Sequence, residues 1–238
     1  TAFLTGRQGV ARHILETAAG TGIVTEAMHR AVLEAKIVAT DLNPAMLDIA
    51  AGRIQSDRVS FQPADALDLP FEDGLFDLVV CQFGVMFFPD KVKGNAEARR
   101  VLCDGGTYLL VVWDRLDRNP ASEIVNDAVA SLYPDDPPSF LARTPFGYAN
   151  PEWIERDLRA AGFDKVRIET VALDSQPMSA GDAAAGLIAG SPLRSEIEER
   201  DPAGLDTATN AAAEALHEIE RDGVLDSHLS AHVVTATK

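Results

Sequence analysis

The sequence predicts an α/β fold in which a seven-stranded, mostly parallel sheet carries helices on both faces. Between Arg12 and Trp113, short apolar segments alternate with helix-like segments, as successive βαβ units do. Further along, Lys165–Leu173 alternates polar and apolar residues, as a strand with one solvated face does. A glycine-rich turn directly after the first apolar segment favours the Rossmann-like form of this fold class.

The strands are predicted from short segments that are β-branched or apolar and that end at polar or glycine breaks. The five parallel strands predicted in this way are His13–Leu15, Ile37–Thr40, Val59–Gln62, Phe76–Phe83 and Thr107–Trp113. Two later segments, Lys165–Leu173 and His232–Thr237, predict a final antiparallel pair and bring the sheet to seven strands.

The segments between the strands contain helix formers with apolar residues three or four positions apart. The helices predicted from this spacing are Val24–Leu33, Ala45–Arg53, Ala96–Leu102, Pro120–Leu132 and Pro151–Ala161. Asn43 and Pro44 predict the start of the second helix, because Asn43 can cap it and Pro44 at its first position loses no hydrogen bond. The run Asp104-Gly105-Gly106 predicts the end of the third helix, since glycine accepts the left-handed conformation of a helix C-cap.

The predicted domain organisation is a Rossmann-like domain of residues 1–173 and 232–238, interrupted by an insertion of residues 174–231. The insertion is rich in alanine and acidic residues and has helical spacing around Leu193–Glu199 and Leu205–Ile219. It is too long for a hairpin loop. We therefore expect a helical cap folded over one end of the sheet, with a structureless linker as the alternative.

The composition is that of an acidic globular protein. The chain has 238 residues, 46% of them hydrophobic and 24% charged, which suffices for one large domain or a domain with a cap. Its formal net charge of −16 argues against nucleic acid as a partner, because a polyanion repels phosphate backbones. The longest apolar stretch, Leu78–Phe88, is too short to cross a membrane, and no secretory signal is visible, so we expect a cytoplasmic protein. The two cysteines and five histidines lack the spacing of a metal site or a disulfide framework, so we expect neither.

One short segment predicts a nucleotide site. The first strand ends at Glu16, and the chain passes through a loop of small residues, 18–22, into the first helix. Such a loop lets the backbone approach a ligand closely, and the start of the helix offers unpaired N–H groups. A dinucleotide fingerprint would need glycine or alanine at the position of Thr25, which weakens the interpretation as an NAD site. A purely structural turn is the other alternative.

Glu16, Ala18, Gly20 and Gly22, an acid followed by small residues at every second position, resemble the glycine motif of the class I S-adenosylmethionine-dependent methyltransferases. Ala18 stands where that family usually has its first glycine, and its methyl group is expected to narrow the space beside the methionine part of the cofactor. Asp41, at the end of the second strand, resembles the acid that accepts hydrogen bonds from both ribose hydroxyls. Its structural alternative is a helix cap.

Two further segments extend the resemblance along the chain. The loop after the third strand is similar to the family's adenine loop, which implies that Asp65 accepts a hydrogen bond from the adenine amine and that the N–H of Ala66 meets a ring nitrogen. Phe76–Gly84 is similar to the family's fourth strand, which implies that Gln82 and Phe83 at its end approach the sulfonium and the acceptor. The cofactor site implied by the whole resemblance consists of Glu16, Ala18, Gly20, Thr21, Gly22, Asp41, Leu42, Met46, Asp65, Ala66, Gln82 and Phe83.

A narrower resemblance is to small-molecule methyltransferases such as those of ubiquinone and menaquinone biosynthesis. It implies transfer of a methyl group from S-adenosylmethionine to a small apolar or cationic acceptor by in-line displacement. The family carries an N-terminal helix that closes over the cofactor, whereas about a dozen residues precede the first strand here. We therefore expect this lid to be truncated or to be supplied by the insertion.

Three side chains are candidates for a general base, which this chemistry needs only for some acceptors. They are Asp114 after the fifth strand, and His217 and His228 in the insertion. Two other functions stay open: a catalytically silent S-adenosylmethionine-binding protein that acts as a sensor or partner subunit, and an NAD-dependent oxidoreductase, which Thr25 and the Asp65 loop disfavour. A homodimer is one assembly that the sequence allows.

Overall fold

The computed structural model of the chain describes residues 11–238. Within this range, seven strands form one sheet and two short strands form a separate antiparallel hairpin. The sheet strands are β1 (His13–Glu16), β2 (Lys36–Asp41), β3 (Val59–Pro63), β4 (Phe76–Gln82), β5 (Leu102–Trp113), β6 (Lys165–Asp174) and β9 (His228–Thr237), and the hairpin strands are β7 (Glu220–Arg221) and β8 (Val224–Leu225). The order across the sheet is β3-β2-β1-β4-β5-β9-β6, which confirms the predicted α/β fold and its seven-stranded sheet.

The first five strands are parallel, so their carboxyl ends lie at one edge of the sheet. β1 pairs with β2 on one side and with β4 on the other, and Leu15 lies between Val38 and Val79. β3 extends the sheet beyond β2, and β5 extends it beyond β4. The chain order therefore reverses between β1 and β4, and this switch point is where open α/β sheets bind ligands.

β9 runs antiparallel to β5. The N–H of Gly105 donates to the carbonyl of Lys238 at 3.1 Å, and the N–H of Asp114 donates to the carbonyl of Ser230 at 3.0 Å. Residue numbers thus rise along one strand while they fall along the other. The late strand that the sequence predicts is present, and it begins at His228, four residues before its predicted start.

The described residues contain nine α-helices, none of them long and apolar enough to span a membrane. The helices are α1 (Ile23–Ala31), α2 (Pro44–Arg53), α3 (Lys91–Val101), α4 (Pro120–Leu132), α5 (Phe140–Arg143), α6 (Pro151–Ala160), α7 (Ala180–Ile188), α8 (Leu193–Arg200) and α9 (Leu205–Leu216). The start of α2 is as predicted, because Asn43 Oδ1 accepts a hydrogen bond from the N–H of Ala45 at 3.0 Å and Pro44 occupies the first helical position.

The third predicted helix begins earlier than expected. α3 starts at Lys91, where Asp90 Oδ1 accepts a hydrogen bond from the N–H of Lys93 at 2.9 Å. Gly94 lies inside the helix, and a Cβ at this position would be 2.6 Å from the ring of Phe88. Gly94 therefore lets the ring of Phe88 pack closely against α3, and it does not interrupt the helix.

The prediction that Asp104-Gly105-Gly106 ends this helix is wrong. The helix ends at Val101, and Leu102 is already extended, with φ −71° and ψ 140°. Val101 and Leu102 are fully buried, so the chain turns into the sheet before it reaches the glycines. The glycines lie inside β5, beside a shift in its register with β4.

The chain divides into two compact units, each with its own core. The first unit contains the described residues up to Val112, together with Pro151–Glu169 and Val233–Lys238. One of its apolar clusters joins strand residues to α1, as in the packing of Ile14 and Leu78 with Met28. The prediction about an N-terminal lid concerns residues 1–10 and lies outside the described residues.

The second unit contains Trp113–Asn150 and Thr170–His232. Its core is helical and is formed by buried residues of α4, α7, α8 and α9, among them Val125, Ala184 and Ile197. The segment 174–231 lies in this unit and carries three helices, so it is not a structureless linker. The unit also includes 113–150, and the domain division into residues 1–173 with 232–238 and an insertion 174–231 stays a prediction.

Candidate functional site

The glycine loop after β1 has an unusual backbone. Ala18, Gly20 and Gly22 all have positive φ values, of 52°, 55° and 79°. A Cβ at Gly22 would lie 2.7 Å from the Cβ of Ala50 in α2, so this residue must be glycine for the loop to pack on the helix. At Gly20 a Cβ would have no atom within 4 Å. The loop is therefore packed tightly at one glycine and open at the other.

Ala18 has a counterpart at the end of β4. Left-handed backbone is uncommon for alanine, and the residue adopts it with φ 52°. A Cβ at Gly84 would lie 2.5 Å from the Cβ of Ala18 and 2.8 Å from Cys81 Sγ. The methyl group of Ala18 therefore lies beside a residue that has no side chain. Gly84 provides the space that the methyl group of Ala18 needs at the first position of the loop.

Glu16 is a buried acid at the end of β1. Its side chain is almost completely shielded from solvent, and Oε2 accepts a hydrogen bond from Thr25 Oγ1 at 2.5 Å. Burial raises the pKa of Glu16 to about 8, the bond from Thr25 opposes this rise, and the negative charge of Asp41 adds to it. Thr25, whose identity weakens the dinucleotide interpretation, thus has a specific partner in the loop region.

Asp41 connects the end of β2 to the glycine loop. Its Oδ2 accepts a hydrogen bond from the N–H of Gly20 at 2.8 Å, and its Oδ1 accepts one from the N–H of Asn43 at 2.9 Å. Each carboxylate oxygen has a second lone pair that can accept another hydrogen bond. Since Asn43 caps α2, the alternative role of Asp41 as the cap does not apply.

The loop after β3 places Asp65 next to Asp41 along the sheet edge. Asp65 is exposed, its Oδ1 accepts a hydrogen bond from the N–H of Leu67 at 2.9 Å, and its carbonyl accepts one from Asp68 at 3.0 Å. The N–H of Ala64 donates to the carbonyl of Asp41 at 3.1 Å. This last bond ties the two predicted site loops together.

Four other predicted site residues surround these acids in the first unit. Leu42 and Met46 are apolar yet have 74% and 39% of their surface exposed at the start of α2. Thr21 and Ala66 are half-buried. Exposed apolar side chains next to a polar loop can cover a flat ring system.

Arg100 binds the chain that follows Asp65, a role that the sequence interpretation did not identify. Its guanidinium donates to the carbonyls of Leu69 and Phe71 at 2.8 and 2.7 Å, and it pairs with Glu97 and Asp73. Glu97 in turn accepts a hydrogen bond from the N–H of Leu69 at 2.8 Å. The hydrogen bond from Arg100 is the main reason that the pKa of Glu97 is lowered.

The end of β4 carries Gln82 and Phe83 at the switch point. Gln82 is exposed, and Phe83 is half-buried with a φ of 54°, in the left-handed region that a bulky residue rarely adopts. The N–H of Phe83 donates to the carbonyl of Val111 in β5 at 2.8 Å and holds this conformation. Strained backbone of this kind is concentrated at functional sites.

Of the three candidate bases, Asp114 belongs to a hydrogen-bonded network in the second unit. Its Oδ2 accepts a hydrogen bond from Ser230 Oγ at 2.8 Å, and its Oδ1 lies 3.2 Å from His232 Nε2. The same nitrogen lies 2.9 Å from the carbonyl of Ala149, so it faces two acceptors and carries a proton. His232 Nδ1 lies 2.9 Å from Thr170 Oγ1.

The two predicted histidines lie elsewhere in the second unit. His217 pairs with Glu220 through Nδ1 and Oε2 at 2.6 Å, and more than half of its side chain is exposed. His228 is exposed at the start of β9. The structure therefore joins Asp114 to His232, which is not among the bases predicted from the sequence. The adjacency of β5 and β9 in the sheet, invisible in the sequence alone, makes this pair.

Comparison with known proteins places the chain among methyltransferases. A family model described as a methyltransferase domain matches residues 15–110, from β1 into β5. The demethylmenaquinone methyltransferase of Deinococcus radiodurans is 29% identical over 186 residues, which are 72% of this chain and 75% of that protein. The ubiquinone/menaquinone biosynthesis C-methyltransferase of Acidiphilium cryptum is 31% identical over 168 residues, which are 65% of this chain and 67% of that protein.

The fold is also found in solved structures. Phosphoethanolamine N-methyltransferase 2 of Haemonchus contortus, in complex with S-adenosyl-L-methionine, matches with a TM-score of 0.60 and 17% identity. The match covers 98% of this chain and 50% of that chain, and at this identity it shows the fold alone. Together, the family model and the relatives do not favour an NAD-dependent oxidoreductase or a catalytically silent binding protein.

Proposed function

Since this chain belongs to the class I S-adenosylmethionine-dependent methyltransferases that act on small molecules, we propose that its glycine loop, Asp41 and Asp65 form the S-adenosylmethionine site. The observation that carries the proposal is the hydrogen bond from the N–H of Gly20 to Asp41 Oδ2 at 2.8 Å. It sets an acid that can accept ribose hydroxyls directly against a loop that is open at Gly20.

The residues at the carboxyl edge of the first unit fit an adenosine ligand. Asp41 accepts hydrogen bonds from the ribose hydroxyls, and Asp65 accepts one from the adenine amine. The N–H of Ala66 donates a hydrogen bond to a ring nitrogen of the adenine. Leu42 and Met46, whose apolar side chains are exposed beside Asp41, cover the adenine faces. Gln82 and Phe83 lie near the sulfonium, and Glu16, Ala18, Thr21 and Gly22 complete the wall beside the methionine part.

S-adenosylmethionine supplies, when bound, a methyl group that is already activated by a sulfonium. The chain's own contribution is to hold the donor in one orientation and to exclude water, which can supply a large part of the rate enhancement in a group transfer. The rigid loop contacts at Gly22 and Asp41 serve this orientation. A general base is needed only when the acceptor loses a proton, and Asp114, His217 and His228 stay candidates for it.

The acceptor that the relatives suggest is a demethylated quinone, methylated at a ring carbon. The first relative is named as a demethylmenaquinone methyltransferase, and the name of the second, a ubiquinone/menaquinone biosynthesis C-methyltransferase, indicates transfer to carbon. The cytoplasmic location and the homodimer expected from the sequence stay predictions.

The test is methyl transfer from labelled S-adenosylmethionine to a short-chain, reduced demethylmenaquinone. We expect labelled product with the wild-type chain and a strong loss of labelling with Asp41→Ala. Asp48→Ala, which removes an exposed acid from α2, is the matched control and should keep the activity. Cofactor binding without labelling of this quinol, or of any compound in a metabolite extract, would instead support a silent binding protein.

A further inference from the structure

The seven-stranded sheet ends at β6, and this edge strand is long and exposed. β6 spans ten residues without a proline, whereas β3 at the opposite edge spans five. Within residues 11–238, the one neighbour of β6 in the sheet is β9. On an edge strand, every second residue directs its N–H and C=O groups away from the sheet, and such a row of groups can pair with a strand of another chain.

The register of β6 with β9 shows which backbone groups face the open edge. The N–H of Ser175 donates to the carbonyl of Ser227 at 2.9 Å, and Thr170 Oγ1 lies 2.9 Å from His232 Nδ1. Both pairs belong to one antiparallel register, and the first and last residues of the two ten-residue strands belong to it as well. Odd-numbered residues of β6 therefore bond to β9. The residues whose N–H and C=O groups face outward are Val166, Ile168, Thr170 and Ala172.

The side chains on one face of β6 carry charges of both signs. Lys165, Arg167 and Glu169 are exposed, and they alternate with Val166 and Ile168, which are half-buried. Arg167 Nη2 lies 3.4 Å from Glu169 Oε2 of the same chain. An edge that carries one sign of charge repels a second copy of itself, whereas an edge with both signs can match a second copy.

A two-fold axis at Ile168 brings opposite charges together. Two copies of β6 that pair antiparallel about this residue place Arg167 of each copy opposite Glu169 of the other, so two ion pairs form. The same register pairs Val166 with Thr170 and Ile168 with its own copy, so the outward-facing groups meet as an antiparallel ladder requires. An axis at Arg167 or at Glu169 would instead set like charges against each other.

The local charge of this edge also favours a second copy of the chain. The chain as a whole has a formal charge of −16, so two copies repel each other at long range. The segment 165–169 contains two basic residues and one acidic residue, so it is not acidic. β6 is thus an edge at which a strongly acidic chain presents positive charge to its copy.

We propose that β6 is a homodimer interface, in which two copies of the chain pair antiparallel about Ile168 with an Arg167–Glu169 ion pair on either side of the axis. About six backbone hydrogen bonds join the two edge strands, and the two sheets continue into each other. Glu169 exchanges the arginine of its own chain for that of the other copy. The inference does not depend on the cofactor, because none of these residues belongs to the proposed S-adenosylmethionine site.

The test is sedimentation equilibrium of the whole chain over a range of concentrations. We expect the wild type to reach twice the chain mass of 25.5 kDa. Glu169→Arg sets arginine against arginine at both ion pairs and should raise the dimer dissociation constant at least about tenfold. Adding Arg167→Glu to this variant restores opposite charges in the same register, so the double variant should dimerise as the wild type does.

Glu198→Arg on α8 is the matched control. It removes an exposed glutamate that pairs with Arg194 of its own chain, and it changes the net charge by the same amount as Glu169→Arg. Its dissociation constant should equal that of the wild type. A wild type that stays monomeric at every concentration, a dimer that Glu169→Arg leaves intact, or a double variant that dimerises no better than Glu169→Arg would overturn the proposal, and none of these results would touch the cofactor site.

Discussion

At the scale of single residues, the glycine loop separates positions that need glycine from positions that tolerate a side chain. Gly22 has positive φ and no room for a Cβ, whereas Ala18 has a similar φ but lies beside Gly84. A family position that is usually glycine can thus be alanine when a neighbouring strand end supplies the missing space. The two residues are far apart in sequence and meet only in the folded chain.

Gly22→Ala should destabilise the protein, because it adds a methyl group 2.7 Å from the Cβ of Ala50 in a left-handed conformation. We expect a loss of about 2 kcal/mol in the free energy of unfolding. Gly52→Ala, on the adjacent helix with nothing within 4 Å of the added Cβ, should instead stabilise by about 0.5–1 kcal/mol. Urea denaturation of both variants measures the difference, and equal effects would refute the close packing at Gly22.

Glu16 should make the stability of the ligand-free protein depend on pH. Its pKa is about 8 in the folded chain and near its ordinary value of 4.5 in the unfolded chain, so the folded state holds the extra proton between these values. This group's contribution is therefore complete below pH 4.5 and falls by about 1.4 kcal/mol per pH unit as the pH rises towards 8.

Glu16→Gln lacks this titration, so its advantage in unfolding free energy over the wild type should grow between pH 5.5 and 7.5. Urea midpoints at several pH values test the expectation, with Glu26→Gln as the variant that should follow the wild type. A difference between Glu16→Gln and wild type that stays constant with pH would show that Glu16 is ionised in the folded chain.

At the scale of elements, α3 organises the loop that carries Asp65. Arg100 projects from this helix to the carbonyls of Leu69 and Phe71, and Glu97 binds the N–H of Leu69. The planar guanidinium suits several acceptors at once, which a lysine could not satisfy. The helix therefore positions the loop that carries Asp65 through Arg100 and Glu97.

Arg100→Met should leave two loop carbonyls and Glu97 without their donor. Because hydrogen bonds to charged groups contribute about 1.5–3 kcal/mol, we expect a loss of that order in stability and a weaker affinity for S-adenosylmethionine. Arg30→Met breaks an exposed pair on α1 and should change stability by less than about 0.5 kcal/mol. Undiminished cofactor affinity in Arg100→Met would show that the loop holds its shape without this helix.

The alternating part of the chain could be predicted element by element, because each strand and helix there has its own local signal. The start of α2 at Asn43 and Pro44 is such a case. The end of α3 could not be predicted in this way. Leu102 is buried in the sheet, so the helix ends before it reaches the glycines that were expected to end it. The β7–β8 hairpin has a local signal in Asp222 and Gly223, both with positive φ, but its strands are only two residues long.

The positions of the candidate site residues could be predicted where a residue type recurs at a fixed place in the fold, but not where they depend on a tertiary contact. Asp41 and Asp65 follow strands whose carboxyl ends meet at one edge, so their proximity follows from topology. The bond of Thr25 to Glu16 and the reach of Arg100 depend on how helices pack, and the pair of Asp114 and His232 depends on which strand neighbours β5. Spacing along the chain carries no information on such contacts.

At the scale of the whole molecule, the net charge and the acids of the proposed cofactor site have separate roles. The net charge of −16 repels nucleic acids, whereas the acids of the site are few and individually placed. Asp41 is tied to the glycine loop and to its own helix start, and Asp65 is held in a turn of its own. The proposed cofactor site depends on these few acids and not on the overall charge.

The most direct test of this account is a calorimetric titration of the wild type, Asp41→Ala and Asp65→Ala with S-adenosylmethionine, alongside NAD. We predict one bound S-adenosylmethionine per wild-type chain, at least about tenfold weaker binding in each variant, and no NAD binding. Asp48→Ala should bind as the wild type does. Unchanged affinity in both variants, or binding of NAD in place of S-adenosylmethionine, would contradict the site described for this chain.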